Sequence, residues 1–372
     1  MKPIMKALSA LVLLVSAMPA QAKARLDCPL RDAAFSIDSP LVDILLSPAA
    51  RKLVDDASGG RLAKIPAQFA GTQPPTFAAI LSLRDAAMFT GLSSQAVTAL
   101  DPALRALPVT ESDKVARCAR YDNVRPQFAR SAGSPRILMF EKVNGFYHQD
   151  AIPAAREALV AMAARKGWSL SVTDKGGAIN PSTLGQFDLV IWNNNSGDVL
   201  TLSQRNALKG FLERGGGFVG IHGAGGDTFI PWGWYADHLL GARFKGHPMA
   251  PQFQDARVVV DAPSHPIAKA LPRDWHMTDE WYSFHNNPRA AAGVTVILSL
   301  DESTYKPVGM MNQDLRMGDH PLAWTNCIGK GRAFYSAIGH RAESYHQTEH
   351  LALLEAAIEW AADRHQTCRP VD

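Results

Sequence analysis

The groups best suited to chemistry in this 372-residue chain are histidines at abrupt chain corners, with a carboxylate pair elsewhere to serve them. His222 lies in FVGIHGAGG, Phe218 to Gly226, where an apolar run stops on a glycine-lined turn. His340 follows Gly339 in the polar segment Gly339–Tyr345. His148 closes the segment Asn144–His148, and His247 stands between Gly246 and Pro248. Asp279 and Glu280 are adjacent and precede Trp281 and Tyr282. Two or three neutral imidazoles with a carboxylate match a zinc-like divalent-cation site. They equally match metal-free proton transfer, with histidine as acid or base and the carboxylate orienting it. His222 and His340 are the candidate metal ligands or acid–base pair. Glu280 and Asp279 are the candidate carboxylates, one expected to face the site and the other to be structural. His148, His247, Asn193, Asn194, Glu343 and Tyr345 are candidate ligand contacts. Simpler roles compete: His148 could cap the helix that follows it, and Asn193–Asn195 could be an ordinary turn, since Asn tolerates left-handed geometry.

Several chemistries lack their motifs. The chain has no HExxH, no GxSxG, no Walker loop and no GxGxxG after its first predicted strand. Gly223–Gly226 is glycine-rich but lacks the lysine of a phosphate loop. A nucleotide cofactor is therefore not expected. None of the four cysteines forms a CxxC pair, which weakens zinc-ribbon and thioredoxin readings.

The candidate residues are scattered, so a fold must gather them. From Arg136 the pattern alternates apolar strands with helices. The strands are Arg136–Lys142, Trp168–Thr173, Asp188–Trp192 and Gly217–Ile221, and the helices are Asp150–Lys166 and Leu202–Arg214. Continuous apolar strands separated by helices predict a doubly wound α/β fold, a mostly parallel sheet covered on both faces. Later strands are expected at Arg257–Val260, Val294–Leu300 and Arg332–Ala337, and a closing helix at Glu349–Ala362. In such sheets ligands bind at the carboxyl ends of the strands. That rule brings His148, Asn193, Asn194, His222 and the Gly339–Tyr345 segment to one rim. Asp279–Tyr282 is expected in an insertion folding over it.

Ahead of this lies a different segment. Residues 26–132 predict a small helical accessory domain, with Ser39-Pro40 opening Leu41–Leu46, Ser47-Pro48 opening Ala49–Asp56, and helices at Leu81–Phe89 and Val97–Leu107. Arg125–Pro135 reads as a linker. Residues 1–22, with Lys2 and Lys6 ahead of an apolar run and Ala20-Gln21-Ala22 at its end, read as a secretory signal peptide. The run is too short and interrupted for a membrane span, so a soluble periplasmic or secreted protein is expected, without membrane insertion. The formal charge is +3. Losing the two leader lysines leaves 36 basic against 35 acidic residues, which gives no support to nucleic-acid binding. In an oxidising compartment Cys28, Cys118, Cys327 and Cys368 are expected to form disulfides. Three pairings are open. Cys28–Cys118 with Cys327–Cys368 is favoured because it keeps each bridge within one domain.

From Arg136 to about Asp363 the chain resembles the ThuA-like (trehalose utilisation) family, of the class I glutamine amidotransferase-like fold. The resemblance rests on RILMFEK, FYHQDAI, DLVIWNN, LERGGGFVGIHGAGG, WGWYADHLLGARFKGHP, HPIAKALP, TDEWYSF, PLAWTNCIGKGRAFYSAIGHRAESY and LLEAAIEWAAD, in that order. It does not cover residues 26–132. In amidotransferases of this fold the corner held here by His222 carries a nucleophilic cysteine. No cysteine lies near it in this sequence, so glutamine hydrolysis is not expected. The resemblance implies a carbohydrate ligand, a disaccharide or keto-glycoside. Trp192, Trp281 and Tyr282 would then stack on sugar faces. The expected protein is a carbohydrate-active isomerase, lyase or hydrolase. The rivals are a non-catalytic sugar-binding module and a metal-dependent hydrolase of an unmodified glycoside or ester.

Overall fold

The computed structural model describes residues 26–129, 132–364 and 368. The predicted leader lies outside them. Eleven strands are present among the described residues: β1 Arg136–Phe140, β2 Ser169–Thr173, β3 Leu189–Asn193, β4 Gly217–Ile221, β5 Phe244–Gly246, β6 Phe253–Val260, β7 Asp274–Glu280, β8 Ser283–Phe284, β9 Thr295–Leu300, β10 Pro321–Ile328 and β11 Gly331–Ser336. Nine of them form one sheet in the order β2-β1-β3-β4-β11-β10-β9-β6-β7. The first five of that order pair in parallel, and the rest pair antiparallel. The α/β fold with its mostly parallel central sheet is as expected. β3 and β4 are buried along their whole length, because helices Ala151–Lys166, Leu202–Glu213 and Thr348–Ala362 shield the sheet from solvent.

The antiparallel half was only partly visible in the sequence. β10 was not anticipated, and β7 carries Asp279 and Glu280 as the end of an edge strand rather than in an insertion. Counting reversals from β11, β7 runs in the same sense as the parallel strands, so Glu280 ends at the same rim as His222. A flat sheet would hold β7 about 19 Å from β11, four strand spacings away. Glu280 nevertheless bonds His340 at 2.9 Å, so the antiparallel half bends back over the rim.

The N-terminal region has its own apolar cluster, built on Phe35, Leu41, Ile44, Val54, Leu83 and Leu104. Ser47 caps the helix Pro48–Ala57 as expected, through Ala50 N. Ser39 does not cap Leu41–Leu46; its hydroxyl accepts from Ser36 N instead. Leu81–Phe89 is mostly turns, with only Ala87–Thr90 helical, because Leu81 and Ser82 are drawn into backbone pairing with Pro40 and Leu41. The predicted linker is not a free tether. Asp122 just before it bonds Lys142 and Gly176 N, and Phe128 packs edge-on against Phe187. Both favoured disulfides are present, Cys28–Cys118 and Cys327–Cys368. Among the described residues no helix is long and apolar enough to cross a membrane.

Candidate functional site

Four of the five parallel strands, β1, β3, β4 and β11, each lead into one piece of the site. His222 is the first residue past β4 and is held at φ +39°, a conformation that costs a non-glycine residue about 1–3 kcal/mol and persists only where its surroundings over-determine it. Here they do: its Nδ1–H donates to Ala337 O at 2.7 Å, and its carbonyl accepts from Tyr335 Oη at 2.9 Å. Tyr282 stacks on the imidazole with centroids 4.1 Å apart. Since Ala337 O can only accept, Nδ1 carries a proton, and Nε2 is the nitrogen turned toward His340.

His340 follows Gly339, whose φ of +128° only glycine adopts readily. Asp279 fixes this turn. Its Oδ2 accepts from Gly339 N and Ser344 Oγ, both at 2.8 Å, and its Oδ1 from His340 N at 3.1 Å and Glu280 N at 2.8 Å. Asp279 is thereby saturated with donors and turned from the histidines; Glu280 is the carboxylate that faces them. Glu280 Oε2 accepts from His340 Nδ1 at 2.9 Å, and Oε1 lies 3.1 Å from His247 Nδ1, which bonds Pro248 O. Gln252 also donates to Oε1. Burial works to raise the Glu280 carboxyl, but the imidazole contacts outweigh it and hold it well below the usual carboxylate range.

His148 completes the group. Ring nitrogens of His148, His222 and His340 all lie within 4.8 Å of one another. Burial, reinforced by the neighbouring imidazoles, pushes His148 well below the usual histidine pKa, so it is neutral. Its Nδ1 is buried without a hydrogen-bond partner. His222 Nε2 lies 3.4 Å from Glu280 Oε2 and 3.2 Å from His340 Nδ1. An orphaned imidazole nitrogen beside two further imidazoles and a buried carboxylate is what a cation or a shared proton would satisfy. The donor set fits a zinc-like ion: three imidazoles and one carboxylate.

The model of the ThuA family, described as trehalose utilisation, matches residues 136–361, well over half of the chain. The chain belongs to the ThuA family. Among solved structures it is similar to a ThuA-like protein from Bacteroides uniformis at 25% identity and a TM-score of 0.54, over 63% of this chain and 94% of that one. A ThuA-like protein from Parabacteroides merdae is also similar, at 17% identity and a TM-score of 0.47, over 63% of this chain and 92% of that one. No curated protein matches.

The other predicted residues of this ThuA chain sort by what they touch. Asn194, at φ +55°, accepts from Gly223 N at 3.2 Å and donates to Tyr345 Oη at 3.1 Å, tying the two histidine corners together. Tyr345 in turn donates to Gly339 O at 2.9 Å. Asn193 is fully buried and donates to Glu141 and Ile152 O. These three build the site rather than line it. Trp192, Trp281 and Tyr282 are at most 4% exposed. Trp192 packs among Phe140, Phe218 and Tyr235, and Trp281 donates its indole N–H to Gln254 O. None of the three offers a free face to a sugar. Glu343 points outward and pairs with Arg341.

The mouth lies on the side of His340 and His247, the partly exposed members. It is rimmed by Phe253, 39% exposed and 5.2 Å from the His340 ring, and by Phe146. A groove of about 880 Å³ runs nearby, lined by Lys142, Tyr147 and Arg156 and by Pro74 and Arg120; none of the three histidines lines it. Sequence reasoning missed Gln252, Phe253 and Phe146 as site residues. Only Phe146 carried a signal, its place inside the Asn144–His148 segment.

Proposed function

We propose that this ThuA protein is an exported carbohydrate-processing enzyme whose His148, His222 and His340 hold a divalent cation beside Glu280. The observation that carries the reading is the convergence of three imidazole nitrogens within 4.8 Å, next to a buried carboxylate. Membership of a trehalose utilisation family supports a disaccharide or keto-glycoside ligand. Two disulfides, together with the leader read in residues 1–22, support a periplasmic or secreted location. A bound divalent ion would polarise a carbonyl or hydroxyl oxygen of the ligand. Glu280, held ionised, suits a proton acceptor, and His247, partly exposed, 3.1 Å from Glu280 and not one of the three ligands, suits the group that passes the proton to and from solvent. Abstraction of a proton beside the carbonyl of a 3-keto sugar is a step this pair could perform, and isomerisation, elimination and hydrolysis can each begin there.

A metal-free version has its own support in the direct 2.9 Å bond between His340 and Glu280, an acid–base pair needing no ion. Elemental analysis of the purified protein separates the two. About one zinc-like ion per chain, lost in His148→Ala, is expected; no ion, with activity indifferent to chelator, sinks the metal reading. The function itself is tested by turnover of disaccharides and their 3-keto forms by wild type, His222→Ala and His340→Ala. Loss of at least 100-fold in both variants is expected. Equal turnover in all three proteins defeats the site, and sugar binding with no turnover in wild type leaves a binding module.

A further inference from the structure

The N-terminal region lies outside the matched residues 136–361, yet it reaches the site. Its segment Thr76–Ile80 is wedged between the chain leaving β1 and the chain leaving β4. Thr76 N donates to Asn144 O at 3.0 Å on one side, and Phe229 N donates to Ile80 O at 3.1 Å on the other. Ile80 sits so close to Gly145 that a Cβ there would lie 2.4 Å from Ile80 Cγ2; only glycine permits this approach. A file of rings then runs from the N-terminal region into the site. Phe89 stacks on Phe69 at 4.5 Å, Phe69 meets Phe77 at 5.1 Å, and Phe77 meets Phe146 at 5.0 Å. Phe146 sets its edge against His148 at 4.6 Å and lies 6.1 Å from His340.

This contact matters because of how His148 is held. Its Nδ1 has no hydrogen-bond partner, whereas His222 is fixed by Ala337 O and His340 by Glu280. Ring packing is therefore a main restraint on the orientation of the His148 imidazole. Its neighbours are Phe146, the other two histidines, and Gly223, where an added Cβ would fall 2.8 Å from His148 Cε1. Phe146 is in turn backed by Phe77. We propose that the N-terminal region is an integral wall of the site, with Phe77 a positioning residue that sets the His148 ring through Phe146. This rests on the reading of the three histidines as one functional centre.

The test uses the full mature chain and cobalt(II) alone as the probe, with His148 imidazole resonances as a second readout that needs no metal. Phe77→Ala is compared with Phe77→Leu and with Val54→Ala, which trims the N-terminal cluster at a residue that is not one of the ring file. Outer groups that orient ligands typically alter metal affinity 10–100-fold. Phe77→Ala is expected to weaken cobalt binding about 10-fold or more and to move the His148 resonances. Phe77→Leu should restore most of both, and Val54→Ala should leave both as in wild type while lowering the melting temperature. Unmoved His148 resonances in folded Phe77→Ala overturn the proposal, as does an equal change in Val54→Ala. If wild type takes up no cobalt, the metal reading fails by itself, and the resonances still decide the role of Phe77.

Discussion

Two neighbouring carboxylates, Asp279 and Glu280, illustrate how placement assigns roles to like residues. Asp279 accepts four donors and so serves as a brace; Glu280 accepts from His340 with His247 close by and so belongs to the chemistry. A third carboxylate, Asp227, has no cationic partner among the described residues. It accepts from Ser196 Oγ at 2.5 Å and Gly197 N at 2.6 Å. Burial raises its pKa to about 7 against the lowering effect of those bonds, and the charge of Asp198 adds to the rise. The folded state therefore holds a proton that the unfolded chain releases near pH 4. Stability from this group is full below pH 4, falls as pH rises to about 7, and is level above that. At about 1.4 kcal/mol per pH unit the loss is on the order of 4 kcal/mol. Asp227→Asn keeps an acceptor for Gly197 N and can donate to Ser196 Oγ. Urea unfolding at pH 5 and pH 8 should show the variant losing less stability across that interval than wild type. An identical loss would mean that Asp227 does not titrate there.

At the scale of elements, the site is a set of strand ends braced against one another, and each brace is a place to test. Asp279, on β7, ties down the turn after β11. Asp279→Asn would replace one acceptor oxygen with an amide that meets backbone N–H groups, breaking about two bonds in a buried position. A loss of about 2–4 kcal/mol is expected, together with weaker metal uptake because His340 is freed; both are read from thermal unfolding and elemental analysis. Gly223 allows the corner after β4 to pass His148 and Asn194 closely. In Gly223→Ala the new methyl would sit 2.8 Å from His148 Cε1 and 3.0 Å from Asn194 O. Such overpacking costs about 1–3 kcal/mol and should abolish metal uptake while the far-UV spectrum stays native; uptake at the wild-type level would remove His148 from the centre. These elements also mark what the sequence could convey. The parallel half was legible because strands buried on both faces are continuous apolar runs, and the strand-end rule then gathered His148, His222 and His340. β7 was not, because DWHMTDE alternates exposed and buried residues in a chain of mixed polarity, and no local pattern says that a distant edge bends back to the rim. The aromatic residues misled for a related reason: composition marks Trp192, Trp281 and Tyr282 as able to meet a sugar, but only packing decides whether a face remains free.

For the whole molecule, the question is what keeps the N-terminal region seated on the sheet. Noncovalent ties exist at Lys142–Asp122, at Tyr121 Oη to Asp198, and at Ser203 N to Asp27. The Cys28–Cys118 bridge closes a loop of 90 residues and staples the two ends of that region together. Cys327–Cys368 closes 41 residues and fastens the chain end to β10. By loop entropy alone either bridge contributes about 4–5 kcal/mol, an upper figure that strain and residual structure reduce. The two differ in what they guard. Removing the first (Cys28→Ser with Cys118→Ser) should loosen the region that presents Phe77 and Ile80. Heating should then give two separated unfolding steps, and metal affinity should fall before the second step begins. Removing the second (Cys327→Ser with Cys368→Ser) should lower the melting temperature with the metal affinity unchanged, since the turn that carries His340 within that loop is held by Asp279 rather than by the bridge. Calorimetry with metal titration at each temperature reads both. If the first pair of substitutions lowered stability and left metal affinity intact up to the sheet's own melting, the helical region would be a passenger on the fold and the site would be complete without it.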